Sequence, residues 1–391
     1  MRLLFVTAMT GYPWAGSEEL WGRAAMHLVG QGHEVSALVP RWPQLAAPLE
    51  RLRAAGAVVR MRAAPRFGLA HRAVAKLGRL LGPREPEDFR WLRSQRPDLV
   101  CVSNGNYFDG LPYLQFCAEA GLPFASIVQA NGECLWPHDD LADRILAAYR
   151  RARRTFFVSH ANHRLMERHL GAAVEGGEVV RNPFNTAWDA PSDWPAEDGV
   201  TRLACVARYD PSAKGQDLLF EVLAAEPWRS RPVTLSLFGA GPMERSMRRL
   251  VTRHGLDDKV TFRGHVSDIR GIWSGHHALV LPSRYEGLPL ALVEAMICGR
   301  PSVVTDVAGN AELLEEGVTG FVAAAATVRH LGEALERAWA RRADWREIGR
   351  AARDAVRRQV PDDPALVFAR RLVEVAGGSA GTAAVAAGKA S

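Results

Sequence analysis

Residues 281–306 read LPSRYEGLPLALVEAMICGRPSVVTD and predict a strand, a loop, a helix and a second strand. The first apolar run ends at Ser283, and Pro289 stands where the helix begins, a position that suits proline. The helix covers 290–298 and stops at Gly299, the residue type that most often follows a helix end. Two strands joined by a crossover helix form the unit from which parallel sheets are built.

The loop and the helix of this unit carry two glutamates, Glu286 and Glu294. The N-terminus of such a helix presents free N–H groups and the positive end of a dipole, which suit an anion. Glu294, one turn inside the helix, is placed to accept hydrogen bonds from a diol such as ribose, and Glu286 from a sugar. The alternative interpretation is that both carboxylates only cap and solvate the helix.

Short apolar runs alternate with amphipathic stretches along the rest of the chain. In the first half, strands are predicted at 2–8, 34–40, 98–104, 123–130, 155–159 and 178–183. In the second half they are predicted at 202–208, 233–239, 259–264, 278–283 and 301–306. This alternation is typical of α/β folds and predicts two doubly wound parallel sheets. Ligands bind such sheets beyond the carboxyl ends of the strands, so we expect the site in a cleft between the halves.

The sequence divides into two domains and a tail. We assign 1–185 to a first domain and 201–376 to a second, because the intervening 186–200 is rich in Asp, Pro and Trp and shows no period. Within the second domain, 363–376 has helical spacing and is suited to pack back on the first. The Gly-, Ala- and Ser-rich stretch 377–391 is expected to be disordered.

The composition is that of a folded soluble protein, with 391 residues of which 48% are hydrophobic and 24% charged. It excludes a disordered chain, a collagen-like repeat and a disulfide-rich miniprotein. Five cysteines without a Cys-x-x-Cys pair indicate a reducing compartment. The N-terminal apolar run is too short for a signal peptide, and no run of about 18 apolar residues predicts a membrane-spanning helix. We therefore expect a cytoplasmic protein.

The net charge of +6 is concentrated in the first half, where 1–183 hold 23 Lys and Arg against 17 Asp and Glu. A basic surface favours phosphate-rich or anionic-lipid partners. The amphipathic stretch 67–82 either lies on an anionic membrane at its inner face or packs on its own domain, the interpretation that we favour. Its basic flanks are Arg72, Lys76 and Arg79. A nucleic-acid recognition motif is absent from the sequence, so we expect no nucleic-acid partner.

A second informative loop, 205–224, follows the first predicted strand of the second half and reads CVARYDPSAKGQDLLFEVLA. Arg208 stands at the strand end and Lys214 at the start of the next helix. Two cations that converge on one point suit a diphosphate, one as a fork and one as a point charge. Alone, the pair would be interpreted as a solvated surface feature. With the helix at 290–298 across the same cleft, it predicts a site for a leaving group.

Together these motifs resemble those of the family 4 glycosyltransferases, most strongly over 200–325. The resemblance rests on Glu286-x7-Glu294 with AGNAELLEEGVTGFVA (308–323), VARYDPSAKG (206–215), RGHVSD (263–268) and AGSEELWGRAAMHLVGQGHEVSALVP (15–40). It implies the GT-B fold, in which two Rossmann-like domains face one interdomain cleft.

The resemblance also implies roles for individual residues. Arg208 and Lys214 would bind the diphosphate of a nucleotide sugar, Glu286 would contact the donor sugar, and these three form the predicted catalytic group. Glu294 would bind the ribose. The other nucleotide contacts would come from Gly16, Arg263, His265, Val266, Gly287 and Leu288. Where the family often has a histidine facing the sugar, this sequence has QANGE at 129–133, so Gln129 or Asn131 would contact a sugar hydroxyl.

The implied reaction moves a hexose from a UDP- or GDP-sugar to a glycan or lipid-linked saccharide, as in surface-polysaccharide or lipopolysaccharide synthesis. The family retains anomeric configuration and needs no metal, and no Asp-x-Asp pair suited to a metal occurs here. A retaining glycosidase needs two carboxylates astride the bond, and no second one is evident on the acceptor side. The departing phosphate is therefore expected to take the acceptor proton, with catalysis by positioning and charge stabilisation.

Two alternatives stay open. One is a partner subunit that binds nucleotide sugar without transferring it, although the intact set of charged residues argues against a degenerate site. The other is an epimerase or a phosphorylase on the same fold. A phosphorylase needs a lysine that carries pyridoxal phosphate, and of the four lysines only Lys214 is expected near the cleft.

Overall fold

A computed structural model describes residues 1–62, 85–189 and 193–378. The first part of the chain forms a parallel sheet whose seven strands are β1 (Arg2–Thr7), β2 (Glu34–Val39), β3 (Val58–Met61), β4 (Leu99–Asn104), β5 (Phe124–Val128), β6 (Arg154–Phe157) and β7 (Gly177–Val179). Their order in the sheet is β3-β2-β1-β4-β5-β6-β7. The helices described in this part are α1 (Gly16–Gly30), α2 (Ala47–Ala54), α3 (Glu87–Ser94), α4 (Leu111–Glu119), α5 (Asp139–Tyr149) and α6 (His160–Leu170).

The second part repeats this pattern with six parallel strands, β8 (Thr201–Val206), β9 (Val233–Phe238), β10 (Val260–Gly264), β11 (Ala278–Leu281), β12 (Ser302–Thr305) and β13 (Phe321–Ala323). Their order is β10-β9-β8-β11-β12-β13. The helices are α7 (Pro211–Lys214), α8 (Gln216–Ala224), α9 (Glu244–Arg253), α10 (Ile269–Ser274), α11 (Leu290–Ile297), α12 (Val328–Ala340), α13 (Trp345–Gln359) and α14 (Pro364–Ala376). In both sheets the order reverses beside the first strand, which creates a switch point where ligands bind.

The predicted pair of doubly wound parallel sheets is confirmed, and every predicted strand is present. Two strands were not anticipated. Edge strand β3 is only partly buried and exposes Val58, so it lacks the apolar run of a central strand. Strand β13 is three residues long and lies inside the stretch interpreted as a motif.

The last helix, α14, returns to the first domain and packs against α1. Phe368, Ala369 and Leu372 are fully buried within the core of the first sheet, and the Phe368 ring meets Phe156 edge-on at 5.1 Å. Arg153 Nη1 donates to the carbonyl oxygens of the last turn of the helix. The chain therefore crosses between the domains twice, once on each side of the second domain.

Some predicted segments fall outside the described residues. The amphipathic stretch 67–82 lies outside them, as does the predicted disordered tail except for Gly377 and Gly378. Across the part that is described, none of the helices combines the length and the apolar character needed to span a membrane.

Candidate functional site

A cleft of about 1080 Å³ separates the two sheets. Its walls come from residues that follow β1, β3, β4, β5 and β7 in the first domain and β8, β9, β10 and β11 in the second. Most of the residues predicted from sequence line this space, namely Gly16, Gln129, Arg208, Lys214, His265, Val266, Glu286, Gly287, Leu288 and Glu294. The fold thus brings residues from distant parts of the chain to one place.

Two predicted residues do not line the cleft. Arg263 is exposed on β10, before the turn that carries His265 and Val266 into the cleft. The Asn131 side chain is buried and donates from Nδ2 to the carbonyl oxygen of Asn162 at 2.8 Å, so it supports α6 instead. The motifs do not tell which way these two side chains point, because a shift of one residue in a loop or strand turns a side chain to the opposite side.

The centre of the second-domain wall is an ion pair. Lys214 Nζ donates to Glu286 Oε1 at 2.6 Å, and Ser283 Oγ donates to the same oxygen at 2.8 Å. The side chains of Lys214 and Glu286 are only 16% and 7% exposed. In such a desolvated place each charge acts strongly on a ligand and on its partner.

Local backbone geometry brings this lysine to the loop that carries Glu286. Lys214 ends α7, and Gly215 follows with φ +65°. A Cβ at Gly215 would stand 1.9 Å from the carbonyl oxygen of Pro282, so only glycine allows the approach. The backbone N–H groups of Arg284 and Tyr285 then donate to the carbonyl oxygen of Ala213.

Arg208 lies opposite the first domain across the cleft. Its guanidinium carbon is 4.6 Å from the centre of the Tyr12 ring, and its Nη2 is 3.7 Å from Asp210 Oδ2. The side chain is more than a third exposed, and the contact with Asp210 is long. The guanidinium is therefore available to an incoming anion.

Helix α11 begins at the cleft. Pro289 is its capping residue, with extended ψ of 129°, rather than its first helical residue as predicted. Gly287, Leu288 and Leu290 line the cleft next to the Lys214–Glu286 pair. A helix N-terminus and two cations consequently face one region of the second-domain wall.

Glu294 is held by a residue that the sequence analysis did not single out. Its Oε1 accepts from the backbone N–H of Asn185 at 2.9 Å and from the Asn185 amide at 3.1 Å. Burial raises the pKa of the Glu294 carboxyl, and these two bonds oppose that rise. Arg23 Nη2 donates to Asn185 Oδ1, so Asn185 links α1 to α11 between the domains.

Two further groups occupy the first-domain wall. Gln129 is 4% exposed, and within the described residues neither atom of its amide has a hydrogen-bond partner. Asp109 also lines the cleft, and burial raises the pKa of its carboxyl. No second carboxylate on this side was evident from the sequence. Asp109 belongs to a loop without a recognisable motif.

The domains meet along a tight backbone contact. A Cβ at Gly287 would stand 1.8 Å from the carbonyl oxygen of Gln129 and 2.9 Å from Val158 Cγ2. Nearby, Glu312 accepts from the backbone N–H of Ala161 and pairs with Arg181 at 3.2 Å. These contacts position the two walls of the cleft relative to each other.

The buried Glu18, on the first turn of α1, makes the stability of the folded protein depend on pH. It is 3% exposed and accepts hydrogen bonds from Thr7 Oγ1 and Ser17 Oγ, and burial raises its pKa from 4.5 to about 7. The folded protein keeps this proton where the unfolded chain has lost it, so stability falls as pH rises from 4.5 to 7. The free energy of unfolding is expected to fall by about 3 kcal/mol over this range.

A Glu18→Gln variant removes that titration. We expect the free energy of unfolding of the variant, minus that of the parent protein, to be about 2 to 3 kcal/mol larger at pH 8 than at pH 5. Urea unfolding of both proteins at the two pH values measures this difference. If the two proteins differed in free energy of unfolding by the same amount at both pH values, the raised pKa of Glu18 would be contradicted.

The described part of the chain holds no group of three His, Cys, Asp or Glu side chains able to bind a metal ion. The independence of metal stays a prediction.

Comparison with protein families identifies the chain. A family described as glycosyltransferase family 4 matches residues 14–188, and one described as glycosyl transferases group 1 matches residues 200–341. The chain belongs to glycosyltransferase family 4. The resemblance inferred from Glu286, Glu294 and the Arg208–Lys214 loop is thereby confirmed.

Among family 4 relatives, the α-D-kanosaminyltransferase of Streptomyces kanamyceticus is 35% identical over 126 residues, 32% of this chain and 33% of that protein. A GDP-mannose-dependent α-(1-6)-phosphatidylinositol monomannoside mannosyltransferase of Mycobacterium tuberculosis is 30% identical over 144 residues, 34% of this chain and 37% of that protein. The chain thus spans only about a third of the length of these relatives.

Solved structures share the fold of this family 4 member. Anabaena Alr3699/HepE in complex with UDP and glucose superposes with a TM-score of 0.73 at 18% identity, over 96% of this chain and 99% of that one. Sucrose-phosphate synthase of Thermosynechococcus elongatus gives 0.73 at 19% identity, over 97% and 100%. The predicted GT-B fold is confirmed.

Proposed function

We propose that this chain transfers a hexose from a UDP- or GDP-sugar to a glycan or lipid-linked saccharide, with retention of anomeric configuration. One observation carries the proposal: Arg208, the Lys214–Glu286 pair and the N-terminus of α11 face the same region of the interdomain cleft. Relatives support the donor class, since HepE was solved with UDP and with UDP-glucose, and the mycobacterial mannosyltransferase depends on GDP-mannose.

In the proposed reaction the second-domain wall stabilises the leaving group. Arg208, Lys214 and the α11 N–H groups would bind the diphosphate and offset the charge that develops on it as the glycosidic bond breaks. Glu286 would hold the donor sugar and Glu294 the ribose. The departing phosphate would take the proton of the acceptor hydroxyl on the same face, so positioning does most of the catalysis. With two cations and a helix end on the diphosphate, the reaction is proposed to need no metal.

The proposed acceptor is a surface polysaccharide or a lipid-linked saccharide, reached in the cytoplasm at the inner face of the membrane. A relative named as a Vi polysaccharide biosynthesis protein of Salmonella typhi is 35% identical over 101 residues, which supports this acceptor class. All five cysteines are unpaired, and four are buried, as fits a reducing compartment.

A panel of UDP-, GDP- and ADP-sugars, each with and without EDTA, tests the proposal. We expect one nucleotide to raise the melting temperature and to be released slowly from its sugar, equally in both conditions. Nucleotide stabilisation without release, even with saccharide acceptors present, would instead favour a binding subunit. If none of the nucleotides stabilised the protein, the assignment of the cleft would be wrong.

Glu294→Gln tests the ribose contact separately. Glutamine keeps an oxygen for Asn185 but loses the charge, so we expect nucleoside diphosphate affinity to fall by about tenfold or more. Pyrophosphate, which has no ribose, should bind the variant and the parent protein equally in calorimetric titrations. Equal loss for both ligands would show that Glu294 acts on the diphosphate site as a whole.

A further inference from the structure

Arg62 is a charged residue in the cleft that the donor site does not use. It directly follows β3 and lines the first-domain wall. Its Nη2 donates to the carbonyl oxygen of Thr7, and its guanidinium carbon lies 4.9 Å from the centre of the Tyr113 ring. The backbone carbonyl and the aromatic face hold the group in one orientation.

Among the described residues, no carboxylate forms an ion pair with Arg62, and its Nε atom is buried without a hydrogen-bond partner. Burial lowers the pKa of the guanidinium, while Tyr113 and the more distant carboxylate of Asp88 oppose that shift. Other partly buried arginines have carboxylate partners, as in Arg181–Glu312, Arg231–Glu336, Arg284–Asp217 and Arg371–Glu178. A desolvated charge without a counter-ion is unfavourable unless a ligand supplies one.

The position of Arg62 separates it from the proposed donor groups. The guanidinium of Arg62 reaches the carbonyl oxygen of Thr7 at the end of β1, and the end of β5, with Gln129, lies two strands away, about 10 Å along the sheet. Gln129 adjoins Gly287 and therefore lies beside the donor-sugar end of the cleft. Arg208 and Lys214, which are proposed to bind the diphosphate, belong to the other domain. Arg62 therefore faces space left for the second substrate.

We propose that Arg62 binds an oxyanion, phosphate or carboxylate, carried by the sugar acceptor. The inference rests on the proposed transferase function and narrows its acceptor to an anionic saccharide. Guanidinium groups bind both oxyanions through paired N–H donors, and the Arg62 guanidinium lines the cleft from which such a group would approach. The excess of basic residues in the first half, 23 against 17, favours approach of the same class of ligand.

The test compares three probes in saturating nucleoside diphosphate, so that the donor site is filled. A hexose 6-phosphate, a hexuronic acid and a neutral methyl hexoside are titrated into the parent protein and into Arg62→Gln, Arg62→Lys and Arg60→Gln. Arg60 is the matched control, since it lies two residues earlier on β3, does not line the cleft and pairs with Glu87.

We expect at least one anionic probe to bind the parent protein more tightly than the neutral hexoside. Arg62→Gln should weaken that binding tenfold or more, Arg62→Lys should weaken it less, and Arg60→Gln should leave it unchanged. Preference for the hexose phosphate or for the hexuronic acid assigns the oxyanion. Arg62→Gln should keep the parental nucleotide affinity and lose only a few degrees of melting temperature, since one hydrogen bond, to the Thr7 carbonyl oxygen, is removed.

Other outcomes overturn the proposal. It fails if the parent protein binds nucleotide but prefers neither anionic probe over the neutral hexoside. It also fails if Arg62→Gln binds the anions as the parent does, or if it loses nucleotide affinity and thermal stability together, which would indicate a structural role. Failure to bind any nucleotide would overturn the transferase function instead, and the anionic probes can then be titrated alone.

Discussion

Replacing Lys214 with methionine is expected to reduce transfer at least a thousandfold and to destabilise the fold. The activity falls because Lys214 is proposed to offset charge on the departing diphosphate, where loss of a single preorganised donor already reduces turnover about 10²–10³-fold. The stability falls because Glu286, 7% exposed, would stay buried without the partner 2.6 Å away. We expect a loss of about 3 kcal/mol in the free energy of unfolding.

A double variant separates the two effects. Lys214→Met combined with Glu286→Gln removes both charges, and Ser283 Oγ can still donate to the glutamine oxygen. Urea unfolding should show most of the lost stability restored, while transfer stays undetectable. A double variant as unstable as Lys214→Met would mean that the lysine stabilises by packing rather than by pairing. A single variant with near-parental turnover would remove Lys214 from the proposed mechanism.

Gly287→Ala is expected to reduce turnover about a hundredfold without removing any functional side chain. The added Cβ would stand 1.8 Å from the carbonyl oxygen of Gln129, so the second-domain loop must move away from the first domain. A displacement of about 1 Å between reacting groups is enough for a loss of this size. Nucleotide affinity, which depends mainly on the second domain, should change much less than kcat.

Gly30→Ala is the matched control for this substitution. Gly30 lies at the end of α1, and its added Cβ would meet no heavy atom within 4 Å. Turnover and nucleotide affinity should both stay at parental values. If Gly287→Ala also left kcat unchanged, the walls of the cleft would have to be aligned by contacts other than this one.

The strands of the fold were predictable because buried parallel strands are near-continuous apolar runs. LVCVSN and FASIV, for example, become fully buried central strands. The partly exposed VVRM of β3 carries no such signal, although Arg62, its next residue, enters the cleft. Edge strands and the loops after them are therefore where prediction from one sequence is weakest.

The candidate-site residues that lie close together along the chain could be predicted from the sequence. Glu286 and Glu294 share one loop-helix unit, and Lys214 lies eight residues after the end of β8. Asp109 and Asn185 reach the cleft only through tertiary packing, which leaves no spacing to recognise. The same limit explains Asn131, whose side chain turns toward α6 while the neighbouring Gln129 lines the cleft.

Because α14 returns to the first sheet, the first domain is not one continuous segment of the chain. Because Phe368 and Leu372 complete the core around α1, a fragment cut in the linker would leave that core open to water. Topologically, the second domain is an insertion within the first, with its boundaries at the two crossings between the domains. Recombination that exchanges the second domain between family members must therefore replace the stretch between β8 and α13 as an internal segment and leave the C-terminal helix with its own N-terminal half.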